Sequence, residues 1–219
     1  MEITRYGVYF TPADTAFAEA GATWLGWDIR TAKPCSAPFP QYVGRPRKYG
    51  FHATLKPPFR LASGQSPQAL QDAMAQLAGS LFPVQLGAFE LSRIGSFFAF
   101  TPKISDKPLT DLAATVVRKL DVFRAALGED EIAKRRTPGM AEDKIRNLHH
   151  WGYPYVMENF RFHMTLTGPI PKNDAATCSK HIENHFAGAL PEPVLLDGLT
   201  LVAERQDGYF RELTRHPLG

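Results

Sequence analysis

Hydrophobic and polar residues alternate in several short stretches of this 219-residue chain, and such alternation predicts β-strands. The predicted strands cover residues 5–10, 49–55, 84–94, 97–101, 159–166, 194–203 and 209–214. Helices are predicted over residues 15–27, 66–82, 109–127, 138–149 and 174–187. The stretch 33–48 holds four prolines and is predicted to be a loop. This succession of hairpins and helices favours an α+β fold with antiparallel sheets and outer helices.

One short pattern occurs twice, as Phe-His-Ala-Thr-Leu at residues 51–55 and as Phe-His-Met-Thr-Leu at residues 162–166. The two histidines, His52 and His163, are 111 residues apart. A helix follows each motif, and a strand begins 45 residues after His52 and 46 residues after His163. A strand and a helix also precede each motif. The pattern therefore predicts a duplicated α+β unit.

The repeat predicts a single bilobal domain over residues 1–219, with one motif in each lobe and a groove between them. The repeat halves are expected at residues 49–102 and 160–215. Residues 1–48 and 103–159 supply the further elements.

The motif residues are expected to face the groove in pairs, because side chains alternate between the two faces of a strand. His52 and Thr54 point one way on the first motif strand, and His163 and Thr165 do so on the second. One histidine could accept a proton from an attacking hydroxyl while the other protonates the leaving oxygen. This arrangement suits cleavage of a phosphodiester. The threonines could hold its non-bridging oxygens, and no metal is needed in this scheme.

Several residues beside the motifs are further candidates for binding substrate or phosphate. On the same alternation, Lys56 shares the face of His52, and Arg161 shares the face of His163, whereas Tyr49 is out of phase. Tyr153 and Tyr155 could line the groove and stack on a sugar or base. Arg136, in the basic stretch 134–136, could capture a second phosphate.

Composition narrows the possible partners. The chain is 44% hydrophobic and 21% charged, as expected of a folded domain, and its net charge of +3 suits a small anionic substrate better than a long nucleic acid. Two cysteines do not form a disulfide framework, and the N-terminus does not resemble a signal peptide. A cytoplasmic location without membrane contact is expected, and no obligate protein partner is implied. No cofactor or metal is predicted, since His181 and His185 are more typical of a polar helix face.

The residues 47–58, 151–155 and 160–168 resemble the two-histidine (2H) phosphoesterase superfamily, whose signature is a pair of His-x-Thr/Ser motifs. Within it, they are similar to a bacterial branch associated with phosphonate-utilisation operons and long classed as a domain of unknown function. The resemblance covers essentially the whole chain. It implies a bilobal fold with a central groove and cleavage of a cyclic phosphate or another phosphodiester, and phosphonate breakdown suggests a phosphoribosyl cyclic phosphate.

Two other functions stay open on the sequence. The chain could process RNA ends, as a 2′,3′-cyclic phosphodiesterase or a 2′-5′ ligase-like enzyme, although its small net charge does not favour long RNA. It could also bind a nucleotide or phosphosugar without turnover, in which case both histidines would be dispensable.

Overall fold

The computed structural model describes residues 3–13, 15–104 and 107–219. The β-strands are β1 (Ile3–Phe10), β2 (Trp27–Asp28), β3 (Lys33–Pro34), β4 (Ala53–Phe59), β5 (Val84–Gly87), β6 (Phe89–Ile94), β7 (Phe97–Pro102), β8 (Met164–Thr165), β9 (Val194–Leu196), β10 (Gly198–Arg205) and β11 (Phe210–Pro217). The α-helices are α1 (Thr15–Leu25), α2 (Pro67–Ala78), α3 (Lys107–Lys119), α4 (Glu129–Arg135), α5 (Glu142–Trp151) and α6 (Ala175–His185). None of the helices in these ranges is both long and apolar enough to span a membrane.

Local sequence explains where the predicted helices begin better than where they end. Helix α2 starts at Pro67, and the hydroxyl of Ser66 caps it by accepting a hydrogen bond from the Ala69 amide at 3.1 Å. It stops before Gly79, four residues earlier than predicted. Helix α3 ends at Lys119, and a 3-10 turn follows it over Asp121–Phe123.

Seven strands form one antiparallel sheet in the order β11-β10-β1-β4-β8-β7-β6. The two motif strands are neighbours at its centre, since Ala53 of β4 pairs with Met164 of β8. The predicted α+β class with antiparallel pairing and packed helices is confirmed. The boundaries of the repeat halves stay a prediction.

The sheet order agrees with the strand equivalence expected upstream of the motifs, β1 with β7, and differs from the one expected at the ends of the two halves. Outward from the central pair, β4 is followed by β1 and β10, and β8 by β7 and β6. Strand β7 therefore occupies the place that mirrors β1. Strand β11 was expected to match β7, but among the described strands it pairs only with β10, at the edge. The hairpin β6–β7 crosses to the second motif strand, which sequence spacing alone does not reveal.

Two apolar clusters lie on opposite faces of the sheet. The larger one holds Val8, Phe10, Leu55 and Met164 together with the buried faces of the helices. The smaller one consists of Tyr9, Trp27, Ile29, Val202 and Phe210. Neighbouring residues in β1 enter different clusters, so Tyr9 lies on the face opposite the larger core. The smaller cluster covers less of that face, which can therefore carry a site.

Candidate active site

The two motif histidines lie on the face of the sheet opposite the larger core. Ala53 and Met164 are buried in the larger core, 1% and 0% exposed. Their neighbours in the chain therefore point to the opposite face. In an antiparallel pair centred on these two residues, His52 lies towards Thr165, and Thr54 lies towards His163. This cross-strand arrangement places both predicted pairs on one face of the sheet.

Both imidazoles are held in the same way by the backbone. The Nδ1 of His52 is 2.9 Å from the carbonyl oxygen of Gly50, and the Nδ1 of His163 is 2.8 Å from that of Arg161. A carbonyl oxygen only accepts hydrogen bonds, so each Nδ1 must carry the proton and donate it. In the neutral ring, each Nε2 is then the acceptor nitrogen. Both rings are thereby prepared to accept a proton at Nε2.

His52 has the more enclosed environment of the two. Its ring stacks on Tyr9 with the ring centroids 3.9 Å apart, and Tyr49 stacks further away at 6.2 Å. Its Nε2 lies 3.2 Å from the hydroxyl of Thr54, which can donate to it. Burial lowers the pKa of His52 to about 4, and the nearby charge of His163 contributes in the same direction. His52 is therefore neutral at neutral pH.

His163 is less restrained. Burial lowers the pKa of its imidazole, and the Arg161 guanidinium lowers it further. Phe97 is its aromatic neighbour, tilted and 6.1 Å away between ring centroids. Within the part of the chain that the structure describes, its Nε2 has no hydrogen-bond partner, and Thr165 is half-buried beside it. This nitrogen is the more open of the two.

The prediction that Lys56 shares the groove face is wrong. Residues that pair across strands share a face: Thr54 pairs with Tyr9, but Lys56 pairs with Val8 of the larger core. The register shift between these pairs is a bulge in β4, and it interrupts the alternation. The Lys56 ammonium donates to Asp121 at 2.9 Å and to the carbonyl oxygen of Val117 at 3.2 Å.

The structure places the other predicted binding residues at different depths. Tyr153 is half-buried, and burial raises the pKa of its phenol. Tyr155 is 48% exposed and contacts Tyr153 with ring centroids 5.7 Å apart. Arg161 is exposed, but its charge acts on His163. Arg136 is exposed just after α4, whereas its neighbour Arg135 is half-buried and lines a cleft with Tyr153.

Comparison with known proteins defines the family. A family model described as "Protein of unknown function (DUF1045)" matches residues 54–211. The chain belongs to this family. The sequence resemblance to a branch long classed as of unknown function agrees with this match.

Two curated relatives of this DUF1045 chain carry the name "Ribose 1,5-bisphosphate phosphokinase PhnN". The relative from Janthinobacterium sp. (strain Marseille) is 36% identical over 225 residues, covering 94% of this chain and 49% of its own length. The relative from Laribacter hongkongensis (strain HLHK9) is 32% identical over 218 residues, covering 96% of this chain and 51% of its own length. The chain thus spans about half the length of these relatives.

Solved structures show more distant likeness to the DUF1045 chain. One described as a phosphoesterase has a TM-score of 0.46 at 13% identity, and LigT of E. coli in complex with 3'-AMP has 0.45 at 15%. Both alignments cover 99% of either chain. At this distance they say nothing about the site.

Sequence reasoning missed two aromatic residues of the DUF1045 site. The alternation of its strand predicts which face Tyr9 lies on, but it does not predict that the Tyr9 ring stacks on His52. Tyr49 was expected out of phase with His52, yet it contributes to the stack, because residues 46–49 form a 3-10 turn and Gly50 has φ +71°. Only the non-local packing of β1 on β4 brings Tyr9 to His52.

Proposed function

We propose that this chain is a metal-independent phosphodiesterase that hydrolyses a small cyclic phosphate or a related phosphodiester. The observation that carries the proposal is the matched pair of imidazoles. Each donates through Nδ1 to a carbonyl two residues earlier in the chain, so both Nε2 atoms are available on one face of the sheet. Two such groups are what in-line displacement at phosphorus requires, one on the attacking side and one on the leaving side.

In this proposal one histidine removes a proton from water through its Nε2 as the water oxygen attacks phosphorus. The bond between phosphorus and one ester oxygen of the ring breaks, and the second histidine protonates that oxygen. The product is a phosphomonoester, and each histidine exchanges its proton with solvent before the next turnover. The lowered pKa of both imidazoles keeps the base in its neutral form, and the substrate's negative charge raises the pKa of the histidine that must be protonated.

The two threonines have a supporting role in the proposal. Thr54 and Thr165 are half-buried beside the histidines and can donate to the non-bridging phosphate oxygens. Charge that develops on these oxygens in the transition state is then met by fixed donors.

A phosphorylated ribose cyclic phosphate is the finer substrate proposal. It is supported by the motif resemblance to a branch associated with phosphonate utilisation and by two relatives whose names concern a ribose bisphosphate. A place in phosphonate catabolism belongs to the same proposal.

The test is a panel of ribose 1,2-cyclic, nucleoside 2′,3′-cyclic and 3′,5′-cyclic phosphates, assayed with and without EDTA. We expect hydrolysis of at least one 1,2- or 2′,3′-cyclic phosphate, with a rate that EDTA does not change. Loss of activity with EDTA and recovery with zinc or manganese would contradict the metal-independent mechanism. Full activity of His52→Ala or His163→Ala would contradict the role of the two histidines.

A further inference from the structure

A basic cleft lies beside the half of β4 that β8 does not cover. Strand β8 pairs with β4 only at Ala53, and residues 121–127 approach the rest of that edge. The Ala125 amide donates to the carbonyl oxygen of Arg60 at 2.8 Å. Between this edge, α4 and the turn after α5 lies a small cleft that is partly open to solvent. Neither His52 nor His163 is among its lining residues.

Cationic side chains dominate the lining of this cleft. They are Arg5, Lys56, Arg60, Arg124 and Arg135, with Glu131 as the one carboxylate among the lining residues. Three carboxylates neutralise part of this charge. Arg60 pairs with Glu131, Arg5 pairs with Glu204, and Lys56 and Arg124 share Asp121. Five cations therefore face three carboxylates.

Arg135 is the lining cation that takes part in none of these ion pairs. Its guanidinium donates to the carbonyl oxygen of Gly152, and within the described residues no carboxylate lies within 4.0 Å of it. Burial lowers its pKa most, the charge of Glu131, which lies beyond ion-pair distance, raises it, and the charges of Arg5 and Arg60 lower it. A half-buried guanidinium among other cations is stabilised by an anion, and its planar fork fits phosphate oxygens.

The cleft is linked to the histidines by β4 itself and by two of its lining residues. Tyr153 and Arg5 both line the cleft, and both act electrostatically on Tyr9, the ring stacked on His52. Along β4, Pro57 in the cleft is three residues from Thr54, and the bulge between them makes the distance less than the ~10 Å of a regular strand. A substrate with two phosphates separated by a sugar is of the right size to reach both places.

We propose that this arginine cleft binds a second phosphate of the substrate, a phosphomonoester dianion contacted by Arg135, while the cyclic phosphate lies between His52 and His163. The inference rests on the proposed phosphodiesterase function and deepens its substrate proposal, because it assigns the separate phosphate group of the substrate to this cleft. Arg135 then determines specificity and takes no part in the proton transfers.

The test compares ribose 1,2-cyclic phosphate with and without a 5-phosphate. For the wild-type chain, we expect removal of the 5-phosphate to lower kcat/KM by about 10- to 100-fold, as for loss of a charge-assisted contact. Arg135→Gln should cause a similar loss with the phosphorylated substrate and almost none with the unphosphorylated one. Arg135→Lys should recover part of it. Arg118→Gln, on the exposed face of α3, is the matched control for charge.

Equal losses on both substrates in Arg135→Gln, or no preference of the wild-type chain for the 5-phosphate, would overturn the proposal. Melting temperatures of all variants show whether a loss of activity is caused by misfolding. If Arg135→Gln is misfolded, Arg135→Lys is compared with the wild-type chain on the two substrates instead.

A binding measurement separates this proposal from the proposed hydrolysis. Ribose 5-phosphate is titrated calorimetrically into the His52→Asn/His163→Asn variant, with ribose as the control. Binding that disappears when Arg135→Gln is added supports the cleft even if no cyclic phosphate is hydrolysed. Absence of binding, or binding that Arg135→Gln leaves unchanged, contradicts it.

Discussion

The two motifs place similar residues in different surroundings. The His52 ring stacks on Tyr9, its Nε2 lies beside the Thr54 hydroxyl, and its pKa falls to about 4. The ring beside His163 is that of Phe97, which is tilted and further away, and the Nε2 of His163 has no partner within the described ranges. A duplicated motif thus supplies two imidazoles of the same orientation but different restraint.

This difference suggests how the two roles are divided. A base is effective when it is neutral and its lone pair is fixed, which describes His52. An acid must take up a proton and reach the leaving oxygen, which is easier for the more open His163. We therefore expect His52 to act as the base and His163 as the acid when water attacks.

The largest effect is expected from removing either histidine. His52→Ala and His163→Ala should each lower kcat on a cyclic phosphate by about 10²- to 10⁴-fold. An aryl phosphodiester with a p-nitrophenolate leaving group needs little protonation. On that substrate we expect His163→Ala to recover much of its activity and His52→Ala to recover little. Recovery in His52→Ala instead would reverse the assignment, and circular dichroism checks that both variants fold.

A smaller effect is expected at the carbonyl that holds His52. Gly50 has φ +71° and ψ −178°, a region that is essentially restricted to glycine, and an added Cβ would lie 2.6 Å from the Cβ of Ile29. Gly50→Ala should therefore move this carbonyl and lower kcat/KM by about 10- to 100-fold. Gly44→Ala, where an added Cβ meets nothing within 4 Å, is the control. Unchanged kcat/KM in Gly50→Ala would show that this restraint is dispensable.

Loss of the Tyr9 ring should change the pKa of His52 and leave that of His163 unchanged. Tyr9→Leu removes the ring that shields His52 from water, so the pKa of His52 should rise from about 4 towards 6.5. Between these pH values more of the His52 population is then protonated, and activity that needs the neutral base declines as the pH falls. NMR titration of both imidazoles measures the shift. Tyr9→Phe keeps the ring and should keep the low pKa, and an equal shift at His163 would contradict the comparison.

The smallest effect on the groove is expected at Lys56. Lys56→Met removes a buried ammonium from Asp121, which keeps Arg124 as its partner. The free energy of unfolding should fall by about 1–3 kcal/mol, while the pKa of His52 stays unchanged. Denaturant unfolding and NMR titration measure these two quantities, with the exposed Lys119→Met as the control. A large shift in the His52 pKa would contradict the separation of Lys56 from the histidines.

Local rules were enough to predict several elements of the fold and the central pair of the site. The spacing of apolar residues predicted α3, and the Ser66-Pro67 pair predicted the start of α2. Period-two alternation separated His52 and Thr54 from the buried Ala53 and Leu55. These predictions depend on neighbours within a few residues, which the sequence displays directly.

The sequence by itself determined the two motifs, the faces of their side chains and the antiparallel α+β class, because these follow from local periodicity and spacing. The tertiary structure alone decided which strands are neighbours, where β4 bulges and turns Lys56 into the core, and that Tyr9 covers His52. It also decided that Arg135, and not the adjacent Arg136, lines the cleft. Each of these depends on pairing between residues far apart in the chain, and on which side of a helix or strand meets a partner.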